Sequence, residues 1–165
     1  MRQRIVAGII LSLMASTFAC DARAAFVKVA EIPMATQDNG PITSDGATWY
    51  IGDYFSRTIH QFDSQFNFLG SLTLTPDYES QPYMDFISGL SYESASGNMW
   101  VGNLNYSIHE FTLSGVEIGK WYVDEVPNGI VYDALDDSIW TSTYGTRVVS
   151  HYSTEGSLLG RFDSV

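Results

Sequence analysis

Short runs of apolar residues recur along the chain, most of them alternating with polar ones, and each is bounded by Gly, Asn, Asp or Ser. Alternation with a period of two puts successive side chains on opposite faces of a strand, and β-branched and aromatic residues favour that conformation. The runs themselves repeat. Segments 62–70, 111–119 and 152–160 each begin with an aromatic, carry a turn position, and end in large apolar residues and a glycine. The turn position holds Gly115 and Gly156 in two segments and Phe66 in the other. Ile59, Ile108 or Val149 stands shortly before each aromatic. Farther back lie 49–53, 99–103 and 139–143, and earlier still Ile42, then 89–92 and 129–132.

The unit therefore reads G-[LI]-x-Y, turn, h-W-h, turn, I-x-x-[FY], turn, h-h-G, where h is apolar. Four short runs bounded by turn residues predict a four-stranded antiparallel meander. Asp45-Gly46, Gly97-Asn98 and Asp136-Asp137 fall where the first hairpin of each unit must turn. A four-stranded unit recurring every ~40–50 residues has the period of a propeller blade. These blades resemble those of secreted bacterial propellers of the NHL, strictosidine-synthase-like and virginiamycin-lyase-like kinds. The resemblance runs from about residue 42 to residue 165. It implies an all-β, β-propeller-like fold of about three four-stranded antiparallel blades, at approximately 42–85, 86–126 and 127–165. A β-sandwich is the competing architecture. Propellers host many activities, so the resemblance carries no specific function.

Propellers have about 4–8 blades, and three units leave the ring incomplete. Residues 26–32 read as one more strand, yet the third unit already supplies its own outer strand at 158–162. Three explanations stay open: a partial chain from a longer product, a homo-oligomer in which two copies assemble into a six-bladed ring, or a stable open arc.

The chain opens with Arg2 and Arg4, continues as an apolar run to Ala19, and reaches the A-x-A pattern of Ala22 and Ala24. That is the plan of a secretory signal, expected at 1–24, with the blades in 25–165. The run is too short for a lasting transmembrane helix, so no membrane span is expected after processing. Cys20 offers a rival address, because 17–20 faintly resembles a lipoprotein lipobox, with Thr17 and Phe18 departing from the pattern. Export to the periplasm, cell surface or medium is the expectation. A hydrophobic content of 45% against 16% charged residues excludes a disordered chain. Eight Lys and Arg against nineteen Asp and Glu give a net charge of −11, which argues against nucleic acid or an anionic membrane as partner. One cysteine excludes a disulfide framework.

No nucleophile elbow, phosphate-binding glycine loop, zinc-protease motif or EF-hand pattern occurs. His60 and His109 occupy the same position of the repeat, which reads as architecture rather than metal ligation. Asp133, Asp136 and Asp137 read as a solvated hairpin, and Trp49, Trp100 and Trp140 as core. The loops after the second strand of each unit are the binding candidates, with Asp53 and Tyr54, Asn103 and Tyr106, and Tyr144. A flat ring beside hydrogen-bonding groups suits a carbohydrate or a protein ligand. The reading is an exported, non-enzymatic binding or interaction module without a cofactor. The alternative implied by the resemblance is part of a divalent-metal-dependent lactonase or lyase on a six-bladed propeller. Asp53 and Asn103 match its metal-binding positions, Thr143 departs from them, and Ca²⁺ is the ion to consider.

Overall fold

The computed structural model describes residues 39–76 and 86–163. The expected signal segment, Cys20 and the strand at 26–32 lie outside them. Strands β1 (Asn39–Ser44), β2 (Trp49–Asp53), β3 (Thr58–Phe62) and β4 (Phe68–Thr73) form a first antiparallel sheet in chain order. Strands β5 (Ile87–Tyr92), β6 (Met99–Asn103), β7 (Ser107–Phe111) and β8 (Glu117–Tyr122) form the middle sheet. Strands β9 (Gly129–Asp133), β10 (Ser138–Ser142), β11 (Val148–Ser153) and β12 (Leu158–Asp163) form the third. The four runs of each repeat are thus four strands of one meander, and the described residues contain no helix.

The sheets stack face to face. Tyr50 and Ile59 of the first sheet pack with Leu90, Met99, Val101 and Phe111 of the middle sheet. Trp100 and Ile108, on the opposite face of the middle sheet, pack with Ile130, Tyr132, Ile139 and Tyr152 of the third. Removing each such side chain from water contributes roughly 1.5–3 kcal/mol. Every residue of β6 is buried, because this strand is covered on both faces. Of the three expected core tryptophans only Trp100 is fully buried. Trp49 and Trp140 are half-buried on the faces of the end sheets that point away from the middle sheet; Trp140 aligns with Trp100, whereas Trp49 aligns with Met99. Trp49 stacks on Phe66 at 5.5 Å, and Trp140 stacks on His151 at 4.0 Å.

Repeated polar contacts fix the spacing of the stack. The Tyr92 amide donates to Thr43 Oγ1 (3.0 Å) across the first junction. The Tyr132 amide donates to Ser91 Oγ (2.9 Å) across the second. A buried backbone amide left without an acceptor costs about 1–3 kcal/mol, so these hydroxyls hold the sheets in register. Each outer strand carries the same bulge. Gln61 pairs with Gly70 and Phe62 with Phe68, so Leu69 is the extra residue. Ile118 and Leu159 repeat it in the other sheets. The glycine that ends each sequence repeat therefore marks a bulge inside the strand, a site that favours glycine.

The turn position of the repeat has a second role. Gly115 and Gly156 adopt φ of 83° and 84°, and Phe66 adopts 61°. A side chain at Gly115 would meet the Thr73 carbonyl at 2.4 Å, and one at Gly156 would meet the Trp121 ring at 2.5 Å. Glycine is required there because each turn rests on the outer strand of the preceding sheet. Phe66, in the first sheet, rests instead on its own Trp49.

His109 is buried on the face of the middle sheet that meets the first. Its Nδ1 is 3.0 Å from Glu117 Oε1 and its Nε2 2.8 Å from Ser107 Oγ. A carboxylate only accepts, so Nδ1 carries the proton and Nε2 accepts from the serine. Burial holds the imidazole below its ordinary range, Glu117 opposes that shift, and Lys120 adds to it. His60, its counterpart, contacts Ser71 Oγ at 2.8 Å. The histidines are struts within separate sheets.

Two predictions follow from these contacts. Gly156→Ala is expected to lose about 2–4 kcal/mol, from a left-handed alanine plus the clash with Trp121. Gly145→Ala, with φ of 106° and open space around it, is expected to lose only the conformational part, about 1 kcal/mol. Equal losses in urea unfolding would contradict the inter-sheet contact. For His109, a lowered folded pKa means the unfolded chain binds the extra proton first. Its contribution to stability is therefore present above about pH 6.5 and declines as pH falls below it. The slope of melting temperature against pH over that range should flatten in His109→Gln.

Candidate functional site

In a meander, successive connections alternate between the two ends of the sheet. The loops β2–β3, β6–β7 and β10–β11 therefore share one end with the crossovers β4–β5 and β8–β9. The sequence-derived binding residues all belong to that end, and the structure separates them into three environments.

Asp53 and Asn103 serve their own turns. Asp53 Oδ1 accepts the Phe55 amide (3.0 Å), and Asn103 Oδ1 accepts the Asn105 amide (2.9 Å). Short Asp and Asn side chains favour this use in turns. Asn103 has 0% of its surface exposed, so its carboxamide lies beneath the loop rather than on it. Tyr54 belongs to an aromatic cluster with Phe55 (5.0 Å, edge-on) and Phe86 (5.9 Å). Sequence spacing did not disclose Phe86, because it arrives from the crossover that precedes β5.

Tyr106 and Tyr144 come together. They line an open cleft of about 360 Å³ with Asp124, Glu125, Val126, Thr143 and Thr146. The cleft lies between the β6–β7 and β10–β11 loops, with the β8–β9 crossover contributing its acidic side. Tyr144 is 92% exposed and Tyr106 is 52% exposed, so both rings present surface to solvent. Tyr106 adopts φ of 60°, an uncommon value for a non-glycine residue. Its carbonyl accepts the Val123 amide (2.8 Å), which ties the loop to the crossover. The Tyr144 amide donates to Asn128 Oδ1 (3.0 Å), and the Asn128 amide donates to the Ser142 carbonyl (3.0 Å). Both tyrosines are thus placed through backbone contacts, which leaves their phenol rings available.

The acidic side of the cleft is organised by one cation. Arg161 of β12 pairs with Glu125 through Nη2 and lies 3.7 Å from Asp124 through Nη1. Thr146 Oγ1 donates to the other oxygen of Glu125. Glu125 is therefore engaged, while Asp124 remains largely exposed at the cleft edge. The arrangement offers two aromatic faces, hydroxyl groups and a carboxylate, a set suited to hydrogen bonding and stacking. Arg161 and Thr146 were not singled out by the repeat: Arg161 aligns with Lys120 and Ser71, so the cation is not kept in every unit, and the loops that hold Thr146 differ in length.

Two other polar clusters are enclosed. Ser107, His109 and Glu117 have the order of contacts of a hydrolytic triad, but Ser107 and His109 are buried between sheets and the Glu117 side chain is only 6% exposed. Glu93, in the hairpin at the opposite end, is also buried. Its carboxyl is pushed up by desolvation, opposed by Ser96, with the charge of Glu110 adding to the rise. Among the described residues no group of three His, Cys, Asp or Glu side chains is arranged to hold a metal ion.

No protein-family model matches the chain, and no curated protein matches it in sequence. Solved structures do resemble it. Hydrazine synthase of Kuenenia stuttgartiensis superposes with a TM-score of 0.59 at 13% identity, over 85% of this chain and 40% of that one. Virginiamycin B lyase from Staphylococcus aureus gives 0.56 at 15% identity, over 80% of this chain and 43% of that one. The WD40 β-propeller domain of Doa1 gives 0.57 at 11% identity, over 78% and 41%. The chain thus spans about two fifths of the length of each. Likeness at this identity shows the fold alone, and the fold it shows is the β-propeller, with each four-stranded sheet of this chain a blade.

Proposed function

We propose that the protein is an exported binding module that takes its ligand in the cleft between the middle and third blades. One observation carries the reading: Tyr106 and Tyr144, from different blades, expose their rings beside hydroxyl groups and the Asp124 carboxylate. Large rings held by their backbones bind with little loss of side-chain freedom. The ligand class that matches is a carbohydrate or a polypeptide segment. Either one offers a flat face to stack and donors for the carboxylate. The secretory signal read at 1–24 supplies the exported setting.

The lactonase or lyase alternative gains no support from the positions on which it depends. Asp53 and Asn103 are committed to their own turns, and Asn103 is enclosed. The similarity to virginiamycin B lyase extends to the fold.

The test is a screen of soluble polysaccharides and peptides against the chain, followed by titration of any ligand found with Tyr144→Ala and Tyr106→Ala. Each substitution is expected to weaken binding by roughly tenfold or more with an unchanged melting temperature, since both rings are exposed. A ligand whose affinity ignores both substitutions would place the site elsewhere. Millimolar Ca²⁺ is expected to leave the melting temperature where it is. A rise abolished by Asp53→Ala with Asn103→Ala would favour the metal-dependent alternative instead.

A further inference from the structure

The cleft between the middle and third blades is acidic as well as aromatic. Two carboxylates, Asp124 and Glu125, line it, and no lysine or arginine does among the described residues. Arg147 follows Thr146 in the β10–β11 loop but does not line the cleft. Arg161 reaches both carboxylates from β12, paired with Glu125 through Nη2 and 3.7 Å from Asp124 through Nη1. One positive charge thus faces two negative ones, and its closer contact is with Glu125. The Asp124 side chain is 79% exposed against 22% for Glu125, so the uncompensated charge stands at the cleft edge.

The rings supply the other half of the site. Tyr54 packs on Phe55 and Phe86, whereas neither Tyr106 nor Tyr144 packs on another ring among the described residues. Both rings of the cleft therefore keep open faces. The face of an aromatic ring is the negative end of its quadrupole and attracts a cation held within about 6 Å. A planar guanidinium stacks on such a face and also forks onto a carboxylate, which an ammonium does less well. Arg161 shows that this acidic pair takes a guanidinium. A neutral sugar would use the rings and leave the Asp124 charge unmatched. An anionic one would be opposed by Asp124 and by the net charge of −11. The volume of about 360 Å³ is near the lower end of the range for ligand pockets, which suits one or two side chains of an extended segment.

We propose that the cleft binds an arginine side chain of a polypeptide segment, its guanidinium against the tyrosine rings and its N–H groups donating to Asp124. This rests on the reading of the cleft as the ligand site and specifies what that site selects. The acidic surface draws such a segment in from a distance, and added salt weakens the complex.

Calorimetric titration of the full chain with two capped hexapeptides tests the proposal. One alternates glycine with arginine, and the other carries citrulline, the uncharged isostere, at each arginine. The citrulline peptide is expected to bind at least about tenfold more weakly, since it loses the charged partner of the carboxylate. Asp124→Asn should remove most of that preference. Tyr106→Ala and Tyr144→Ala should each weaken the arginine peptide by roughly tenfold with an unchanged melting temperature. A citrulline peptide or a neutral oligosaccharide such as cellohexaose that binds as tightly, and still responds to both tyrosines, would overturn the choice of arginine and leave the cleft as the site. An arginine peptide indifferent to both tyrosines would overturn the cleft reading as well, because charge alone would then hold it to the acidic surface. Absence of binding by the arginine peptide at millimolar concentration would overturn the proposal.

Discussion

The structure depends on the burial of a β-sheet on both faces. A single four-stranded meander has two apolar faces that it cannot bury by itself, and stacking on its neighbours buries them in a continuous core. Stacking resolves this for the middle blade, where Trp100 packs one way and Val101 the other along the same strand. The first and third blades each gain one covered face from the same contacts. Stability is thus distributed unevenly, with the middle blade as the element on which both neighbours rest.

That unevenness positions the candidate site. The cleft lies over the junction of the middle and third blades, where Trp100 and Trp121 pack edge to face at 5.0 Å. Its loops are short and end in strands whose register is set by the junction. The Val123 and Asn128 amides bridge from the crossover to both loops, so the two tyrosines ride on one connected frame. A ligand spanning them contacts two blades, and its affinity therefore depends on the angle between those blades.

Much of the fold was legible in the sequence, because blade architecture repeats its physical demands. The aromatic in strands β3, β7 and β11, the glycine at the outer bulge and the turn residues all recur at a fixed place in each unit. Relations between units were less legible. The hydroxyl at Thr43 and Ser91 looks like an ordinary strand residue until the Tyr92 and Tyr132 amides are seen to need it. Trp140 reads as core by its position, yet the face it occupies in the third blade is uncovered among the described residues. The site was legible in part. Aromatic residues in equivalent loops pointed to Tyr106 and Tyr144, which line one cleft, and also to Tyr54, which does not line it. Asp53 and Asn103 carry the right chemistry for a ligand, but the same side chains also close Asx turns, and the local backbone decides between the two uses.

Native-state hydrogen exchange measures the central claim most directly. If the middle blade is the element on which the others rest, amides of β6 and β7 exchange only through global unfolding, and those of β11 and β12 exchange through a smaller opening that frees the third blade. Protection in the third blade equal to or greater than that in β6 and β7 would contradict the account, because each blade would then be stable without the two-sided burial from which the rest has been argued.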